Sequence, residues 1–218
     1  MTKESLGLFE KYARIISFTK PEILKTLYTI VDGIDGWLVP HQVFLLYYIG
    51  LLNSGRLVEI GSWKGRSTCT LLLGGNLLID AVDTFHGSDS DEHHKELLSK
   101  ENGSSLSDFH KNITKFNFNN RVTIRCGYSV EVSKLFEDNS IDLLFIDGGH
   151  DYENVKNDIF YWTPKLKSGG IIFGHDYPEE SATDFQELKK AVDEYVKNKP
   201  DIFTLFGSYI GVWGAYKK

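Results

Sequence analysis

The chain is nearly devoid of cysteine, with only Cys69 and Cys126 in 218 residues. Both fall in segments expected to be a helix and a strand, so they read as two buried thiols in a reducing compartment. That excludes a disulfide framework. The sequence also lacks any apolar run approaching the ~18 residues that a membrane-spanning helix needs. Basic charge is in deficit: 24 Lys and Arg stand against 30 Asp and Glu, for a net charge of −6. With no Lys/Arg cluster to form a basic face, a nucleic-acid backbone is excluded as the main partner. Met1-Thr2-Lys3-Glu4 has neither the basic start nor the apolar stretch of a signal peptide. A soluble cytoplasmic protein, with no membrane partner, is expected.

What is present suits one globular domain. Hydrophobic residues make up 41% of the chain and charged residues 25%, enough for a proper core under an ordinary surface. Residues 1–54 read as an N-terminal helical extension. Helical spacing runs through Leu8, Tyr12, Ile15 and Ile16, Pro21 opens a second helix, and Pro40 opens a third that stops at Asn53-Ser54-Gly55. From residue 55 to 218 the pattern alternates strand and helix. Strands are expected at 57–61, 77–83, 121–126, 141–147 and 169–175, and helices near 66–74, 105–117, 129–136, 152–162 and 184–198. Continuous apolar runs such as Ile141-Asp142-Leu143-Leu144-Phe145-Ile146 have the texture of parallel strands covered on both faces. Ile202 to Phe206 and Ile210 to Tyr216 flank Gly207-Ser208 as an antiparallel hairpin. The stretch from His86 to Asn102, with Asp89, Asp91, Glu92, His93 and His94, reads as a solvated loop or a lid.

The most informative segment is Val58-Glu59-Ile60-Gly61-Ser62-Trp63-Lys64-Gly65-Arg66-Ser67. A buried strand ends in an acid and a glycine, a tight turn follows, and a helix begins. Glycines let the backbone approach a ligand, and the free N–H groups of the helix start point at it. A second apolar run closes on Asp83, 22 residues after Gly61, where an acid can accept both hydroxyls of a ribose.

Four blocks occur in order: VEIGSWKGRST, AVDTF, DLLFIDGGHDYENVKND and LKSGGIIFGHDY. On these the chain resembles the class I S-adenosylmethionine-dependent methyltransferases, and more narrowly the small-molecule O-methyltransferases related to macrocin O-methyltransferase. The resemblance implies a Rossmann-like α/β fold: a seven-stranded, mostly parallel sheet with an antiparallel last strand and helices on both faces. Trp63 stands where the commoner glycine pattern has another glycine, and either closes over the ligand or packs under the turn.

The resemblance further implies that Glu59, Gly61, Ser62, Gly65, Ser67, Asp83, Tyr128, Ser129 and Asp147 bind S-adenosylmethionine, with Tyr128 and Ser129 beside the adenine. His150 matches the family's catalytic base for taking the acceptor proton. Asp147 and Asp176 match ligands of Mg²⁺, and His175 stands where the family has another carboxylate. That nitrogen leaves open a softer cation such as Mn²⁺ or Zn²⁺, or no metal. For His150 the alternative is a helix cap or a core position. Lys64 and Arg66 either meet the cofactor carboxylate or point to solvent.

The acceptor expected is a small hydroxylated molecule of sugar or natural-product type, with residues 1–40 and 86–110 expected to form its pocket. Their aromatic residues (Phe9, Tyr12, Phe18, Tyr28, Trp37, Phe85) permit a ring. The N-terminal helices either cover that pocket or pair with a second subunit in a homo-oligomer. Two other functions compete: a cofactor-binding module without catalysis of its own, and a nicotinamide-dependent oxidoreductase. The second needs a G-x-G-x-x-G turn, which Gly61-Ser62-Trp63-Lys64-Gly65 does not supply.

Overall fold

The computed structural model describes residues 7–87, 92–99, 103–179 and 181–218. Three helices come first: α1 (Glu10–Phe18), α2 (Pro21–Asp32) and α3 (Pro40–Leu52). Proline sits at the first turn of α2 and α3, where its missing N–H costs nothing and its fixed φ suits a helix start. Strand and helix then alternate through β1 (Gly55–Ile60), α4 (Arg66–Gly74), β2 (Leu77–Asp83), α5 (Glu92–Ser99), α6 (Leu106–Lys115), β3 (Val122–Cys126), α7 (Ser129–Ser133), β4 (Ile141–Ile146), α8 (Tyr152–Trp162) and β5 (Leu166–Gly174). Helix α9 (Gln186–Val192) continues into a π-helical turn, and β6 (Phe203–Tyr209) and β7 (Val212–Lys217) close the chain.

The seven strands form one sheet in the order β3-β2-β1-β4-β5-β7-β6. Strands β1 to β5 pair in parallel, and β7 runs antiparallel between β5 and β6. The apolar runs are explained by two cores, one on each face. Leu57, Leu143, Phe145 and Phe173 meet α3, α4 and the N-terminal helices, while Val58, Leu144 and Ile172 meet α8 and α9. Trp162 and Trp213 are buried in the second core.

The structure corrects the sequence reading in three places. The hairpin turns at Ile210-Gly211 and not at Gly207-Ser208. Both Ile210 (φ 49°) and Gly211 (φ 83°) have positive φ, which a tight two-residue hairpin turn requires, while Gly207 pairs with Gly214 inside the ladder beyond an irregularity at Thr204. The polar stretch after His86 contains helix α5. Leu98 of that helix is buried, and the His86 ring donates to the Gly103 carbonyl at 2.8 Å, closing the segment on itself. Asp89 and Asp91 lie outside the described residues, as do the side chains of Glu92, His93 and His94. Cys126, finally, is exposed, because β3 is an edge strand; Cys69 is buried. Among the described residues no helix is long and apolar enough to cross a membrane.

At the centre of the sheet Phe145 and Phe173 are neighbours on β4 and β5, with ring centroids 4.8 Å apart and no exposure. Phe145→Ala should cost about 3–5 kcal/mol through lost burial and a cavity, read as a shift in the urea unfolding midpoint at unchanged m-value.

Candidate functional site

A cavity of about 520 Å³ opens at the carboxyl ends of β1, β2, β4 and β5, the edge where open α/β sheets bind ligands. At its floor is the turn after β1. Gly61 has φ 85°, and a Cβ there would lie 2.0 Å from the carbonyl oxygen of Asp147, so only glycine fits. The Gly61 N–H donates to Val82 O and the Asp147 N–H to Ile60 O, which locks three strand ends together. Gly65 (φ 86°) closes the turn by donating to Ser62 O and begins α4 without a side-chain cap. The first N–H groups of that helix therefore have no side-chain acceptor, the arrangement that favours a negatively charged ligand group.

Asp83 ends β2 on the cavity wall. Its Oδ2 accepts the Trp63 N–H and its Oδ1 the Phe85 N–H, both at 2.7 Å, so the carboxylate is fixed on the cavity wall. Across the cavity, Tyr128 and Ser129 follow β3. Tyr128 is largely exposed, while the Ser129 hydroxyl donates to Asp158 Oδ1 and accepts from Trp162 Nε1 at 2.8 Å.

Most residues expected at the site line this cavity: Gly61, Ser62, Ser67, Asp83, Tyr128, Ser129, Asp147, His150, His175 and Asp176. Glu59 and Gly65 do not. Glu59 is fully buried behind the turn, where its carboxyl group accepts from Ser67 Oγ and Thr68 Oγ1. It braces α4 against β1 from beneath. A Cβ on Gly65 would point away from the cavity, toward the Phe109 ring.

The basic residues of the turn also have work other than meeting solvent. Lys64 is buried and pairs with Asp35 at 2.9 Å. Arg66 donates to the carbonyls of Ile34 and Gly36 and pairs with Asp32 at 3.4 Å. Together they strap residues 32–36 over the turn and bring Trp37 against Trp63, with centroids 5.5 Å apart. Of the aromatic residues expected around an acceptor, only Trp37 lines the cavity; Phe9, Tyr12 and Phe85 are core. Sequence reasoning missed Phe185, which lines the opposite side edge-on to His150 at 5.0 Å. No local pattern marks that position.

Four titratable groups meet at the mouth. His150 Nε2 lies 3.1 Å from Asp176 Oδ2, and His175 Nδ1 lies 3.4 Å from Asp147 Oδ1 and 3.1 Å from Asp176 Oδ2. His150 does not cap α8; Asp151 does, accepting the Asn154 N–H. Burial alone would lower the His150 pKa, but the bond to Asp176 and the charges of Asp176 and Asp147 leave it raised. The same contest at His175, between burial and Asp147 with Asp176, ends with the ring pushed up to about 10. Burial works against ionised Asp176, yet both histidines hold it well below the usual carboxylate range. Ligand atoms of Asp147, His175 and Asp176 all lie within 4.8 Å of one another.

A family model described as a methyltransferase domain matches residues 58–177, more than half of the chain. The chain belongs to this methyltransferase family. The protein y4gI of Sinorhizobium fredii (strain NBRC 101917 / NGR234) is 30% identical over 150 residues, or 66% of this chain, but the chain spans only 15% of that curated relative's length. Among solved structures, an O-methyltransferase from Bacillus cereus in complex with SAH (S-adenosylhomocysteine) is 17% identical. The match covers 97% of this chain and 98% of that one, with a TM-score of 0.62. The SAH-bound methyltransferase PaMTH1 of Podospora anserina is 16% identical, covering 96% of each chain, also with a TM-score of 0.62. These likenesses establish a Rossmann-like methyltransferase fold. The nicotinamide-dependent alternative has no counterpart in the family match.

Glu59 gives the site a measurable signature. Burial pushes its pKa from 4.5 up to about 7, against the opposing bonds from Ser67 and Thr68 and with some help from Asp147. Between those two pH values the folded state holds a proton that the unfolded state has released, so stability falls as pH rises from about 4.5 to 7 and levels off above. Glu59→Gln should remove about 3 kcal/mol of that decline, measured by chemical unfolding at pH 5 and pH 8.

Proposed function

We propose that the protein transfers the methyl group of S-adenosylmethionine to a hydroxyl oxygen of a small acceptor. The observation that carries this reading is His150. It is half-buried at the mouth of the cavity, held by Asp176, and shares that cavity with the glycine turn and Asp83. When bound, the donor supplies an electrophilic methyl group on its sulfonium.

The chain's own residues do the rest. Asp83 accepts the ribose hydroxyls, and the open start of α4 with Gly61, Ser62 and Ser67 receives the methionine portion. Tyr128 and Ser129 lie along the base. Trp37 and Phe185 flank the acceptor and exclude water. His150, in its neutral form with Nε2–H donating to Asp176, takes the acceptor proton at Nδ1 as the oxygen attacks, and Asp176 orients the ring. The strap made by Lys64 and Arg66 holds the N-terminal segment as a cap on the acceptor side, which favours a role for residues 1–54 in acceptor binding.

Two carboxylates and a buried imidazole suit a borderline cation such as Mn²⁺ or Zn²⁺ better than Mg²⁺, which prefers oxygen alone. If such a cation binds, Asp147, Asp176 and His175 would hold it, and it would lower the pKa of the acceptor hydroxyl.

The test is transfer of a radiolabelled methyl group to a panel of sugars, phenols and polyketide-type alcohols, followed by His150→Ala and His150→Gln on the best acceptor. Loss of about 10²–10⁴-fold in kcat with unchanged donor affinity is expected for a general base. Turnover that survives both substitutions would remove His150 from the mechanism. Donor binding with no transfer to any acceptor would favour a binding module without catalysis of its own.

A further inference from the structure

His150 needs more support than its own segment gives it. It follows Gly148 and Gly149 in the loop between β4 and α8, so no helix or strand sets the direction of its side chain. Its polar partner among the described residues is Asp176 Oδ2, 3.1 Å from Nε2, and His175 Nδ1 lies at the same distance from that oxygen. One bond to a shared oxygen fixes one ring atom and leaves the imidazole free to tilt about it. A general base requires the opposite nitrogen to stay within hydrogen-bond reach of the proton it takes.

Phe185 supplies a second restraint. Its ring meets the imidazole with centroids 5.0 Å apart and planes at 74°, the geometry of an edge-to-face pair. Burial does not account for the ring's place, because Phe185 is 40% exposed. Local preference does not account for it either. Its backbone is left-handed (φ 56°, ψ 25°), a conformation that residues without a short polar side chain seldom adopt. The following helix holds it so: the Phe185 carbonyl accepts the Lys189 N–H at 3.0 Å, and Leu188, Ala191 and Val192 anchor α9 in the core. Asp176, on the other side of the imidazole, also has positive φ (57°). Both restraints on His150 thus come from strained backbone on the cavity wall, and such strain collects where the surrounding structure fixes a functional group. We infer that Phe185 is a positioning residue for His150: with Asp176 bonded at Nε2, the Phe185 ring blocks the tilt that would turn Nδ1 away from the acceptor. This rests on His150 being the base.

The test joins imidazole nitrogen NMR to a mutant cycle. Spectra of the free protein are taken above the pH at which His150 titrates, with its signals assigned by their loss in His150→Gln. Wild type and Phe185→Tyr should hold the Nε2–H tautomer. In Phe185→Ala the two nitrogen shifts should move toward each other, as the ring leaves Asp176 and exchanges tautomers. On the best acceptor, Phe185→Ala should lower kcat roughly 10- to 100-fold at unchanged donor affinity, the scale of a misplaced catalytic group, and Phe185→Tyr should restore it. Added to His150→Gln, Phe185→Ala should have little further effect on kcat, since both act at one group. An unchanged tautomer in Phe185→Ala, an equal fall in kcat with and without His150, or a rise in acceptor KM alone would overturn the assignment. Turnover undiminished in His150→Gln itself would overturn the base reading beneath it.

Discussion

The site depends on one close backbone contact, between Gly61 at the end of β1 and Asp147 at the end of β4. No side chain fits between them. Because the two strands are adjacent and parallel, the contact fixes where both chains leave the sheet. Gly61 then turns under the cavity and Asp147 turns over it. The third strand end, Val82-Asp83, is joined through the Gly61 N–H. A fixed carboxylate, an open helix start and a histidine loop follow from that arrangement, because each is attached within a few residues of it.

Around this junction charge is arranged in two layers. Beneath the turn, Glu59 is buried and accepts from the hydroxyls of Ser67 and Thr68. Above it, Lys64 and Arg66 fasten the 32–36 segment, with Arg66 also on the cavity wall. The cavity itself holds Asp83, Asp147, Asp158 and Asp176 with His150 and His175. Carboxylates dominate its wall, which suits the cationic sulfonium and the amine and hydroxyl donors of a nucleoside. The two histidines are confined to the mouth, where proton transfer would occur.

The sequence made the sheet legible because parallel strands buried on both faces are written as uninterrupted apolar runs, and β1, β2 and β4 each end in a glycine or an acid that marks the ligand edge. His150, His175 and Asp176 were visible for the same reason. The hairpin turn was misplaced because Gly207 and Gly211 are both turn signals, and only cross-strand pairing selects the second. Helix α5 was missed because its polar face dominates a short segment. Glu59 read as a cavity residue since strand-end position does not reveal which way a side chain points. Phe185 left no trace in sequence, because its place depends on the fold of the segment after Tyr177.

The central claim is that this sheet edge holds the nucleoside of a methyl donor with Asp83 on the ribose. Calorimetric titration of S-adenosylhomocysteine into wild type and Asp83→Ala, with thermal unfolding of both, tests it most directly. The account predicts micromolar binding to wild type, corresponding to about −8 kcal/mol, and a loss of about tenfold or more in a folded Asp83→Ala variant. A wild-type protein that does not bind at millimolar ligand, or a folded variant that binds as tightly as wild type, would contradict it.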